Sequence, residues 1–113
     1  MTFIKKVYET TCALPEIEKF GLTQQMRRCA VSVASNIAEG TGRSTDKDFI
    51  NFLHISLGST YEIETQILLC EQLNYFTKEI VEVLLKEISD IQKMLIGLIN
   101  SLKSKLKTQN SNV

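Results

Sequence analysis

From residue 81 onward, apolar side chains recur every three or four positions: Val81, Leu84, Ile88, Ile91, Leu95, Leu98 and Leu102. This spacing keeps one face of an α-helix continuously apolar over about three heptads. Ile80, Leu85, Met94 and Ile99 flank the seam and make it too wide for a two-stranded coil, so it suits a helix bundle. Thr77 is the predicted N-cap, with Phe76 and Val81 placed as a hydrophobic staple. A second long stripe precedes it: Phe49, Phe52, Leu53, Ser56, Leu57, Thr60, Ile63, Ile67 and Cys70 predict a helix ending near Leu73, with Glu64 and Glu71 intruding on the stripe. Thr45-Asp46-Lys47-Asp48 resembles a capping box at its start. Gly58, in its middle, costs about 1 kcal/mol against alanine, which predicts that a backbone or another subunit comes close there.

The stretch Gly21 to Arg43 predicts an inner helix of small residues. Met26, Cys29, Ala30, Val33 and Ile37 share one face, and Val31, Ala34 and Ala38 widen it. Arg28, Ser32, Ser35, Asn36 and Glu39 form the polar side, and Arg27 falls inside the apolar arc. Thr23 is the expected N-cap and Gly40 the expected left-handed C-terminal stop. The Gly40-Thr41-Gly42-Arg43 turn has the glycines of a phosphate loop but no preceding strand, so it reads as a helix-helix connection. Before it, Phe3, Ile4, Val7 and Leu14 predict a short helix over Phe3 to Ala13, stopped by Pro15. Ile17, Phe20 and Leu22 make the connector a covering turn.

The expected fold is therefore all-α, an antiparallel up-down-up-down four-helix bundle with a short first helix. Residues 1–107 form the bundle, and residues 108–113 are expected to be a mobile tail. With 113 residues, one Pro and five Gly, the chain is of single-domain size and poor in the breakers an all-β fold needs. No apolar run has the length of a membrane span and no signal-like block follows Met1, so the expected location is cytoplasmic. Cys12, Cys29 and Cys70 are far apart, with only His54 as a possible imidazole partner, and are expected to be reduced thiols with no metal role.

Counting from the turn near Gly42, the third and fourth helices outrun the second by some eleven residues. Ile63, Ile67, Leu68, Leu69, Leu73, Val81, Leu84 and Leu85 then lack cover, and exposed apolar area of this kind implies a partner. Ile63, Ile67, Leu69, Leu73, Leu84 and Leu85 are thus the expected interface of a homo-oligomer with closed cyclic symmetry. Thirteen basic and thirteen acidic residues balance, but unevenly along the chain. Residues 60–90 are rich in acids, whereas Lys93, Lys103, Lys105 and Lys107 return toward Arg43 and Lys47. Arg43, Lys47, Lys103, Lys105 and Lys107 are the candidate nucleic-acid contacts, because in a ring such ends gather on one face. A plainer account has the lysines complementing the helix dipole. Arg27 and Arg28 have two readings, contact with phosphate or, the favoured one for a buried position, structural ion pairs with Glu62 and Glu64.

The segments GLTQQMRRCAVSVASNIAEGTGR and DFINFLHISLGSTYEIETQI resemble the four-helix bundle family encoded by intervening sequences in bacterial 23S ribosomal RNA genes. The likeness runs from Val7-Tyr8 to about Leu102. It implies a cytoplasmic bacterial bundle assembled as a ring of five subunits with no established biochemical activity. A similar fold serves as the accessory variability protein of diversity-generating retroelements, a basic ring that binds nucleic acid. This chain departs from that relative in its zero net charge, and from the family in a first helix that lacks the usual tryptophan-bearing start and in Ala34 where proline is common.

One His, no Ser-His-Asp set and no metal-spaced ligands leave catalysis without support, so neither an enzyme, a cofactor, a metal nor a small-molecule substrate is expected. Two functions remain: an oligomeric bundle that binds RNA or other nucleic acid through a basic ring face, or a protein-interaction scaffold with no nucleic-acid binding.

Overall fold

A computed structural model describes residues 2–111, with side chains for residues 2–108. Its elements are α1 (Thr2–Thr11), a 3-10 turn (Glu16–Glu18), α2 (Leu22–Thr41), α3 (Asp46–Gln72) and α4 (Lys78–Ser111), with no strand among the described residues. Successive helices run antiparallel. Along α2 and α3, Cys29 meets Glu62, Ser32 meets Ser59 and Gly40 meets Phe49 and Phe52. Along α3 and α4, Glu64 meets Gln92 and Asp46 meets Lys105. The four-helix bundle is elongated, 58 × 23 × 19 Å.

Local chemistry sets the ends. Thr45 Oγ1 accepts from the Asp48 amide at 3.2 Å and Thr77 Oγ1 from the Ile80 amide at 3.3 Å, so both threonine caps form as expected. Phe76 and Val81 are buried in one cluster, as a staple requires. At the end of α3, Asn74 adopts φ 60°, and the Tyr75 and Asn74 amides reach back to the carbonyls of Cys70 (2.8 Å) and Glu71 (3.0 Å). This is a Schellman stop with asparagine in the left-handed position.

Two expected caps do not form. α2 starts at Leu22 with Gly21 before it and no side-chain cap. Gly40 lies inside the helix, which closes at Gly42 with φ −85°, and no described glycine has positive φ. Gly40 serves packing instead: a Cβ there would stand 2.7 Å from Phe49 Cδ1 and 3.0 Å from the Phe52 Cβ. Gly58, by contrast, has nothing within 4 Å of such an atom, so no backbone of this chain approaches it. α4 continues through residues 108–111, with Leu102 and Leu106 packed on the core, while residues 112–113 lie outside the described residues.

The core has two parts. Around the α3–α4 turn, all four helices contribute: Phe3 and Val7, Met26 and Ala30, Ile63 and Ile67, Leu84 and Ile88. Toward the α2–α3 turn α1 is absent, and Ile50, Leu53, Leu95 and Ile99 are buried with Ile37, Leu98, Leu102 and Leu106 half-covering them.

This arrangement corrects the expected interface. Ile63, Ile67, Val81 and Leu84 are buried within their own chain, so they are unavailable to a second copy. The Cys29–Glu62 and Ser32–Ser59 contacts show α2 reaching farther along α3 than counting from Gly42 gave, and α1 packs against both α2 and α4 to seal that half. Leu85 is half-buried, whereas Leu68, Leu69 and Leu73 remain exposed. The connector is held by buried Leu14 and by the Tyr75 hydroxyl, which donates to Glu18 Oε2 at 3.0 Å. Its Ile17 and Phe20 cover nothing, being 86% and 80% exposed.

Candidate functional site

Among the described residues, no group of three or more His, Cys, Asp or Glu side chains is placed to hold a metal. The free thiols of Cys29 and Cys70 are buried and that of Cys12 is exposed. Burial pushes the Cys70 thiol up to about 11. Burial also raises that of Cys29, whose thiol donates to Glu62. Both therefore stay protonated and unreactive near neutrality. None of the described helices is long and apolar enough to cross a membrane.

Three surfaces have organised chemistry. The first is the end carrying the α2–α3 turn. The Lys105–Asp46 contact at 3.0 Å brings the last turns of α4 level with the start of α3, so Arg43, Lys47, Lys103, Lys105 and Lys107 do share one end of the bundle. Their charges are not all available. Arg43 donates to Glu39 at 2.6 Å and lies 4.7 Å over the Phe52 ring, and Lys105 is bound to Asp46. Exposed Asp48 adds a further acid.

The second surface is the outward stripe of α3. Ile55, Gly58, Tyr61, Leu68 and Leu69 are exposed along it, with Asn51, His54, Thr65 and Gln72 between them. Glu62 is the single acid on that face from Asn51 to Gln72. A solvent-facing helix ordinarily interleaves charges of both signs, so this stripe is unusual for a surface.

The third lies where α1, the connector and α2 meet. Arg27 and Arg28 make no ion pair with Glu62 or Glu64, contrary to expectation. Arg27 turns toward α1: its Nε donates to Thr11 Oγ1 at 2.9 Å, its Nη2 to the Tyr8 carbonyl at 3.2 Å, and its guanidinium lies 4.7 Å over the Tyr8 ring. Arg28 donates to Gln25 at 3.2 Å. Glu62 accepts from Cys29 and Glu64 from Gln92. Neutral acceptors thus take the roles assigned to carboxylates, and sequence spacing carries no sign of a backbone carbonyl turning toward a side chain. Nothing in the hydrophobic pattern singles out this cleft; the adjacent Arg27-Arg28 pair beside an aromatic connector was the one available signal.

Comparison with known proteins places this geometry in a family. The model for the 23S rRNA-intervening sequence protein matches residues 1–97. The chain belongs to that family. A solved structure from Bacteroides thetaiotaomicron, described as a protein of unknown function from the S23 ribosomal protein family, superposes with a TM-score of 0.81. It is 29% identical to this 23S rRNA-intervening sequence family member, over 87% of this chain and 92% of that one. No protein with a curated description matches. Both the family resemblance and the four-helix architecture legible in the sequence are thereby established for this chain.

Proposed function

We propose that this family member acts without catalysis, as a self-associating helical scaffold whose copies meet through the outward stripe of α3. The observation that carries the reading is the near-absence of charge on that stripe, together with exposed Ile55, Tyr61, Leu68 and Leu69 and with Gly58, over which an approaching helix finds open space. Small residues flanked by apolar ones allow close helix approach, and a ring closes when the stripe of one copy seats on a different face of the next, whereas stripe against stripe gives a two-fold dimer. The likeness in sequence implies five subunits. Light scattering tests it: the wild-type chain is expected well above the 12.8 kDa of one copy. Leu69→Glu combined with Tyr61→Glu is expected at one copy with unchanged helicity. A wild-type monomer at micromolar concentration rejects the reading.

A second reading has nucleic acid held at the basic end, favoured by the gathering of Lys47 and Lys103 beside Arg43 and Lys105. The acid partners of Arg43 and Lys105 weaken it, because paired cations release fewer counterions. Filter binding against salt separates the two readings: retention that falls steeply with salt supports nucleic acid, and no retention leaves the scaffold.

A further inference from the structure

The cleft between α1, the connector and α2 has a volume of about 460 Å³ and is lined by Tyr8, Lys19, Phe20, Arg27 and Arg28 with Thr23 and Gln24. Three cations and two aromatic rings face it, and no acid lines it. Arg27 is half-buried and fixed by Thr11, the Tyr8 carbonyl and the Tyr8 ring, yet among the described residues no carboxylate lies within 4.0 Å of it. Arg28 has only the Gln25 amide, and the Lys19 ammonium is a loose 3.9 Å from Glu16. Folding gathers these three positive groups around one concavity, where Arg27 and Arg28 meet only neutral acceptors and Lys19 a loosely held, exposed Glu16 that an anion can replace.

We propose that this cleft binds a phosphomonoester carried on a flat ring, the chemistry of a nucleotide. Arg27, its Nε and Nη2 held by Thr11, the Tyr8 carbonyl and Cys12, keeps its Nη1 to donate to a phosphate oxygen, and Arg28 and Lys19 supply the further charge of a dianion. A lone carboxylate would be outnumbered by these cations. Phe20 explains the ring: it is 80% exposed and covers no core, so its face is free to stack on a base while Lys19 sits 5.6 Å over the same ring. The volume falls within the range of about 300–1,000 Å³ of small-molecule sites. A free mononucleotide and the 5′-phosphorylated end of a strand present the same group. The site adjoins the α3 stripe through Arg28, which shares a groove with Glu62, but it lies apart from the basic end and does not depend on either reading of them.

Calorimetry on the full chain, in its native assembly state, tests the proposal with adenosine 5′-monophosphate, adenosine and inorganic phosphate. The monophosphate is expected to bind at least about tenfold more tightly than either fragment. Lys19→Gln with Arg28→Gln, both exposed positions that leave the fold intact, is expected to weaken it tenfold or more, and Phe20→Ala about tenfold. Lys47→Gln with Lys103→Gln is expected to change nothing. Monophosphate affinity no better than that of inorganic phosphate, or insensitive to the Lys19 and Arg28 changes, overturns the proposal. So does binding that is lost with Lys47 and Lys103. A 5′-phosphorylated hexanucleotide that binds like the monophosphate, while its 5′-hydroxyl form does not, identifies a strand end as the source; exclusion of both forms identifies the free nucleotide.

Discussion

The two halves of this bundle are built from the same three long helices and differ by one short one. Near the α3–α4 turn, α1 lies between α2 and α4, and Val7, Met26, Ile63, Ile67, Ile88 and Thr11 are all but inaccessible. Near the α2–α3 turn that place is empty of α1, and the apolar residues around Ile50 and Ile99 are only half-covered. Ten residues of helix thus decide which half is a sealed core and which is a three-helix wedge. Both halves hold together because their small residues let α2 and α3 close up: Ser56 Oγ donates to the Val33 carbonyl at 2.8 Å, and the Ser32 and Ser59 hydroxyls meet at 2.9 Å.

The comparison breaks or holds on mutation. Ile67→Ala, in the sealed half, is expected to cost about 3–4 kcal/mol in denaturant unfolding, since a fully buried side chain leaves a cavity its neighbours cannot fill. Gly40→Ala is expected to cost about 1–3 kcal/mol, because the Phe49 ring and the Phe52 Cβ leave no room for a methyl group. Arg27→Met is expected to cost about 1–2 kcal/mol and to speed amide exchange in α1 while leaving the far ends of α2 and α3 unchanged, since it removes the bonds to Thr11 and Tyr8. Leu106→Ala, in the wedge, is expected to cost about 1 kcal/mol or less. Equal losses at Ile67 and Leu106 would abolish the distinction.

Alkaline titration gives a smaller effect on the sealed half. Cys70 holds its proton to about pH 11 when folded, above its ordinary value of 9.0, so the folded state binds more protons between those values. The resulting stability is complete below pH 9 and is lost as pH rises through 11. Tyr75 shifts the same way, because its hydroxyl is bonded to Glu18. Cys70→Ala is expected to flatten the fall in melting temperature over that window; an unchanged slope would show that burial of this thiol is not its source.

The sequence displays helix periodicity and caps because those depend on neighbours three and four positions apart. The α4 seam, Thr45, Thr77 and the staple of Phe76 with Val81 were all legible for that reason. Which helix covers which is not encoded at that range. Ile67 and Leu84 look stranded when levels are counted along helix axes, and they are covered by the farther reach of α2 along α3 together with the seat of α1 between α2 and α4. Gly40 shows the same difficulty at one residue: glycine after a helical run suggests a stop, yet here it makes space for Phe49 and Phe52. Arg27 departs from its expected ion pair because its acceptors, a threonine hydroxyl and a carbonyl, carry no charge for a sequence pattern to match.

The chain has no tryptophan, and its three tyrosines fall on three separate features: Tyr8 beneath Arg27, Tyr61 on the outer face of α3, and Tyr75 tied to Glu18. Ultraviolet emission from the unlabelled polypeptide is therefore a composite of three local probes. Replacing any two by phenylalanine leaves a single native fluorophore that reports on the cleft, on contact between copies, or on the anchoring of the connector.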